Sequence, residues 1–220
     1  MSQFREQIIS CPSCHQQGAY RHWDSINVGL DPEMRQEVLS GSLFNWKCPN
    51  CGKQYRVPYS TLYHDMKHKF MIYFDPCRPE VGDGFSLPSD MKYFKTFSDY
   101  TYRSVFDIND LKEKIIQLET GLNDRIIEFM KDIACYNTPH EGLPKDTEYR
   151  FACLLPNAEK PETVLFECVF PKLRDNAYLP VPFEFYKTLE KEPMTNKLFE
   201  QKADFPEVSQ TFLRKVLKRG

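Results

Sequence analysis

The sequence predicts an α+β protein, and three observations carry that prediction. Residues 6–76 are dominated by short runs rich in aromatic and β-branched residues and hold two Cys-Pro-x-Cys tetrapeptides. Two apolar stripes at helical spacing follow between residues 108 and 135. The last third returns to strand-like runs before a closing helix. At 220 residues, with 41 % hydrophobic and 14 % aromatic residues, the chain can bury a core as one large domain or two small ones. It has no apolar run long enough to span a membrane.

Each element has its own signal. Residues 17–28 carry Tyr20, Trp23, Ile26 and Val28 and read as strand. Asp31 and Pro32 start a short helix, as cap and first-turn residue, with Met34, Val38 and Leu39 as its apolar face and Gly41 as its stop. Residues 42–47 and 54–57 flank the second tetrapeptide as strands. Residues 62–64 and 68–74 form a hairpin around Asp65-Met66. A breaker-rich stretch, 75–84, precedes a strand over 100–106.

Ile108, Leu111, Ile115 and Leu118 then draw one stripe down a helix that Asp107 or Asn109 caps and Gly121 ends. Ile126, Phe129, Met130 and Ile133 do the same for a helix over 123–135, and the short connection makes an antiparallel hairpin, expected to pack on the N-terminal sheet. The break at 137–145 places a boundary between domains 1–136 and 140–220. Beyond it, 148–155 and 163–170 read as paired strands, Pro180 and Pro182 as an irregular crossing, and 209–218 as the final helix.

The tetrapeptides are Cys11-Pro12-Ser13-Cys14 and Cys48-Pro49-Asn50-Cys51. Such a turn bends so that both sulfurs face one ion at about 2.3 Å, and two turns supply a tetrahedron. Proline presets the turn, and Gly52 can take a positive φ after the second; His15 holds that place after the first. The interval between the pairs is longer than in a compact ribbon, and the helix near Asp31 accounts for the extra length. Four thiolates leave no open position, so the expectation is one structural zinc per chain on Cys11, Cys14, Cys48 and Cys51, in a zinc-ribbon-like antiparallel N-terminal domain. Iron is the metal-level alternative, since rubredoxin-type carriers use the same knuckles. Thiol redox is the chemical alternative, as Cys-Pro-x-Cys resembles the glutaredoxin motif, but that chemistry wants its first cysteine at a helix N-terminus and the residues after Cys51 read as strand.

The knuckles resemble those of the CpXC-motif proteins of bacteria and archaea. The segment Trp23-Asp-Ser-Ile-Asn27, the Asp31-Pro32-Glu33 helix start, Ser40-Gly41-Ser-Leu43, Leu62-Tyr63-His64-Asp65 and Gly121-Leu-Asn-Asp-Arg-Ile-Ile-Glu128 extend the resemblance over about residues 8–135. It implies a zinc-binding domain with no established activity.

Net charge is −2, from 29 basic and 31 acidic residues, so no global electrostatic footprint for nucleic acid exists. The basic end, Arg214, Lys215, Lys218 and Arg219, reads as a helix terminus complementing its dipole. No phosphate-binding glycine loop or nucleophile constellation is visible, so the chain reads as a binding or scaffolding module rather than an enzyme, with a protein partner expected and no membrane. Single-stranded nucleic acid, stacked on Tyr20, Trp23, Phe44, Trp46 and Tyr55, is the alternative partner. Asp124, Glu128 and Asp132, spaced by four, read as a solvated helix face with Arg125 and Lys131 as surface partners. His64 and His68 read as flanking a hairpin tip, while His15 and His22 lie near the first knuckle. Cys77, Cys135, Cys153 and Cys168 lack ligand spacing and read as core thiols, Cys77 being the candidate for reactivity. Eight cysteines without a signal peptide point to a reducing, cytoplasmic home.

Overall fold

The computed structural model of the chain describes residues 2–77, 84–86, 97–137, 147–157, 160–170 and 176–217. Most of the breaker-rich stretch up to Gly84, the predicted break after 137, the side chain of Cys135 and the terminal Lys218-Arg219 lie outside them. Packing divides the chain into two compact units, Met1–Glu80 with Gly84–Lys112 and Ala203–Phe205, and Val81–Asp83 with Glu113–Lys202 and Pro206–Gly220. The division thus runs inside the first long helix, upstream of the boundary that the breakers at 137–145 predict.

The first unit contains β1 (Gln3–Ser10), β2 (Gln17–Asn27), α1 (Met34–Ser40), a 3-10 turn (Ser42–Phe44), β3 (Asn45–Lys47), β4 (Gln54–Arg56), β5 (Thr61–Asp65), β6 (Phe70–Phe74) and β7 (Thr101–Val105). Its main sheet has the order β1-β2-β5-β6-β7, and β3 pairs with β4 in a separate hairpin. The expected antiparallel sheet is in fact mixed: β2 meets β5 and β6 meets β7 in parallel. The reason is connectivity. Tight turns give antiparallel neighbours, but α1 and the β3–β4 hairpin intervene between β2 and β5, a long enough excursion to return the chain in parallel.

α1 starts at Met34, two residues later than its signals indicate. Asp31 does not cap it; its carboxylate accepts the Ser2 amide at 2.8 Å. Gly41 closes the helix as expected, at φ 79. β5 alternates between buried and half-buried residues, whereas β6, an interior strand, buries four of its five. Ile26, Phe44, Tyr63, Phe70, Ile72 and Phe74 are fully buried around it, with the Phe44 ring 5.3 Å from Phe74 and 5.1 Å from Tyr59. Phe205 returns to this unit, bridging Phe85 and accepting the Ser104 hydroxyl at 2.9 Å.

The chain continues through α2 (Ile108–Glu119), α3 (Asp124–Asn137), β8 (Glu148–Asn157), β9 (Lys160–Val169), β10 (Ala177–Pro182), α4 (Phe183–Glu190), α5 (Pro193–Lys197) and α6 (Gln210–Leu217). The α2 stripe is buried as its spacing predicts. Asn123 caps α3, its side-chain oxygen accepting the Arg125 amide at 3.1 Å. Ile126, Ile127 and Met130 of α3 pack on Phe151, Val164 and Phe166 of β8 and β9 and on Tyr186 and Leu189 of α4. The described core of the hairpin's second helix therefore lies on the C-terminal sheet rather than on the N-terminal one that the sequence predicts. That sheet is antiparallel, in the order β10-β9-β8. The crossing expected at Pro180 and Pro182 is strand β10, and its position at the sheet edge is where missing amide donors are tolerated. Phe199, Val208, Phe212 and Leu213 form a second cluster beneath α6. Among the described residues, no helix is long and apolar enough to cross a membrane.

Candidate metal centre

Each Cys-Pro-x-Cys tetrapeptide is the turn of an antiparallel hairpin, the first between β1 and β2, the second between β3 and β4. The turns are built alike. Cys11 N–H donates to Gln16 O and His15 N–H to Cys11 O, both at 2.9 Å; Cys48 N–H donates to Lys53 O at 2.9 Å and Gly52 N–H to Cys48 O at 3.0 Å. His15 and Gly52 both take the left-handed conformation, at φ 58 and φ 70. His15 is therefore the first knuckle's equivalent of the glycine, and its exposed ring takes no part in the cluster.

The turns meet so that the sulfurs of Cys11, Cys14, Cys48 and Cys51 all lie within 4.8 Å of one another. Two contacts cross between the hairpins, Cys11 to Cys51 and Cys14 to Cys48, each at 3.6 Å. A sulfur tetrahedron around an ion at about 2.3 Å has edges of about 3.8 Å, so the group has the dimensions of a metal site. These separations are far beyond a disulfide bond, and the four thiols are free.

Residues between the hairpins bring the knuckles together. The Trp46 indole donates to Ala19 O at 3.0 Å, and its ring and Pro49 pack closely against Gly18. Tyr55 donates to the Ser13 hydroxyl at 2.6 Å and lies 3.6 Å from the Cys11 sulfur, while Lys53 donates to the same Ser13 at 2.9 Å. Nothing in the spacing of the cysteines signals these contacts, because their partners lie on the other hairpin.

The thiols differ in proton affinity. Burial pushes Cys11 up, but its hydrogen bonds with the Cys14 backbone, the Tyr55 hydroxyl and the Ser13 backbone outweigh it and bring the thiol down to about 6. The Asn50 side chain and the Gln16 backbone hold Cys14 low. The Lys53 amide favours the Cys51 thiolate, yet desolvation and the three neighbouring sulfurs raise it to about 11. Anions accumulate poorly at one point, so a cation that neutralises them suits the donor set.

Residues 9–131 match the family model described as CpXC protein. The chain belongs to the CpXC family. No curated protein and no solved structure matches it. The family stretch contains both knuckles and runs through α2 to Lys131 in α3.

The other candidates resolve differently. His64 lies in β5 and His68 within the β5–β6 turn; His64 is 3.4 Å from both Asn27 and Tyr100, and His68 is 2.7 Å from Asp65. His22 stacks on Tyr59 at 4.2 Å beside Arg5 and Asp24, away from the sulfurs. Cys168 is buried, Cys153 half-buried and Cys77 exposed.

The carboxylates of α3 overturn the expectation of a solvated face. Asp124, Glu128 and Asp132 are buried, as are Lys131 of α3 and Glu113, Lys114 and Gln117 of α2. Lys131 bridges Glu113 at 2.6 Å and Glu128 at 3.0 Å; Lys114 reaches Asp124 at 3.1 Å. Gln117 donates to Glu113 and Glu128, both at 3.0 Å, and the Phe151 amide donates to Glu113 at 2.7 Å. Burial disfavours the Glu128 carboxylate, but Lys131 and Lys114 outweigh it and hold it below the usual range. Burial likewise works against the Lys131 ammonium, and Glu113 and Glu128 hold it above the usual lysine range. Glu128–Lys131 and Glu113–Gln117 pair within their own helices, but the remaining partners lie on the other helix and on β8, where periodicity does not look.

Proposed function

We propose that this chain is a non-catalytic, zinc-ribbon-type binding or scaffolding module of the cytoplasm. One structural zinc ion would sit on Cys11, Cys14, Cys48 and Cys51, and the partner would be a protein. The convergence of four sulfurs at the tips of two hairpins carries the reading. A site of four thiolates has no position left for substrate or water, so its ion would crosslink the hairpins and add on the order of 10 kcal/mol to folding. Cys11 and Cys48 both follow strands rather than opening helices, which removes the setting that thiol redox chemistry uses. The nucleic-acid reading loses support as well, because Tyr20, Phe44 and Trp46 are core residues and Tyr55 is tied to Ser13.

The test is metal content of untagged protein, with thiol titration before and after chelation. The expected result is one zinc per chain, with four additional thiols reacting, and the knuckles unfolding, only after metal removal. A red chromophore would assign iron instead. Metal-free protein with Cys11 or Cys48 freely reactive would overturn the reading.

A further inference from the structure

The metal site leaves the outer face of the β1–β2 hairpin unused. Register sets Phe4 opposite Trp23, Glu6 opposite Arg21 and Ile8 opposite Ala19, so these side chains share one face. Phe4 and Ile8 are 47 % and 65 % exposed on a strand that, among the described residues, ends the sheet and pairs with β2 alone. Beside them opens a groove of about 520 Å³. Trp23, Met34 and Leu43 supply apolar surface to it, and Glu6, Glu33 and Glu37 line its polar side. Among the described residues none of the three carboxylates stands in a salt bridge, and Glu37 accepts a hydrogen bond from the Ser42 hydroxyl. Arg21, the one cation lining the groove among the described residues, is drawn onto the rings instead, 4.4 Å from the Phe4 centroid and 5.9 Å from that of Trp23. Arg21 shows what this face accepts: a cation held against aromatic carbon.

We propose that the groove docks a short extended segment of a partner protein in which a lysine or arginine stands beside an apolar residue. The aliphatic stem lies along Trp23 and Met34, the cationic head sits among Glu6, Glu33 and Glu37, and the apolar neighbour covers Phe4 and Ile8. Three carboxylates facing one arginine repel a phosphate backbone, so the same groove selects against nucleic acid. The inference rests on the protein-directed reading and names its partner's chemistry.

The experiment selects short random peptides on full-length, metal-loaded protein and titrates the enriched sequences by amide NMR. Enriched peptides should carry Lys or Arg next to an apolar residue and shift the amides of β1, β2 and α1. Affinity should fall at least about tenfold in Glu33→Gln/Glu37→Gln, whose carboxylates support no ion pair in the fold. Ile8→Ser should weaken binding independently. Peptides that bind with unchanged affinity to both variants, or no enrichment of cationic sequences, would overturn the groove proposal while leaving a protein partner elsewhere open. An oligothymidylate that binds more tightly than any peptide, and tighter still to the Gln variants, would overturn both readings.

Discussion

Gly18 decides how closely the two knuckles approach. A Cβ at this position would lie 2.8 Å from the Trp46 ring and 2.9 Å from Pro49, closer than such contacts allow. Gly18→Ala should therefore force the second hairpin outward, costing about 1–3 kcal/mol. The measurement is the urea midpoint together with the rate at which a chelator removes whatever metal the four cysteines hold, which should rise. An unchanged midpoint and rate would mean that the Trp46 ring slides aside freely. The cysteines themselves were legible because metal chemistry demands a fixed local spacing. Gly18 was not, because its constraint comes from residues about thirty positions away.

At the level of elements, α2 and α3 were legible as helices through their apolar stripes, and illegible in their polar faces. Two buried lysines are matched by Glu113, Asp124 and Glu128, with Gln117 between them. Removing one partner from such a set leaves an opposite charge without compensation in a dry environment. Glu113→Ala should cost about 3–5 kcal/mol, since Lys131 loses its shortest ion pair and the Phe151 amide its acceptor. Denaturation followed by circular dichroism checks the value. A loss below about 1 kcal/mol would place water in the network, as expected of a solvated face.

For the molecule as a whole, the described titrations set a direction for stability against pH. Burial lowers His22, helped by the Arg5 charge, and burial lowers His64; both start from an ordinary value of 6.5. The unfolded chain then binds protons that the folded chain resists. Their contribution is complete above 6.5 and is lost as pH falls through the depressed folded values. Asp31, held low by the Ser2 hydroxyl and amide, and Asp99, held low by Lys69, extend the loss to lower pH. The urea midpoint should accordingly fall between about pH 7.5 and about pH 5, with the His22 and His64 ring protons titrating below 6.5 by NMR. Midpoints at or above 6.5 would show that these rings are solvated.

The sequence by itself determined the chemistry that depends on near neighbours: the α+β class, the two knuckles, the apolar stripes of α2 and α3, the Gly41 stop and the CpXC resemblance. Each rests on a spacing of a few residues, which a helix turn, a strand pleat or a metal imposes locally. Only the tertiary structure decided that the N-terminal sheet is mixed and that two prolines sit in an edge strand. It alone showed that most of the aromatic residues near the knuckles are core and that the charges of α3 face inward. Those outcomes depend on what the chain brings alongside from far away. A buried ion pair and an exposed one can have the same spacing along a helix, and they differ only in what covers them.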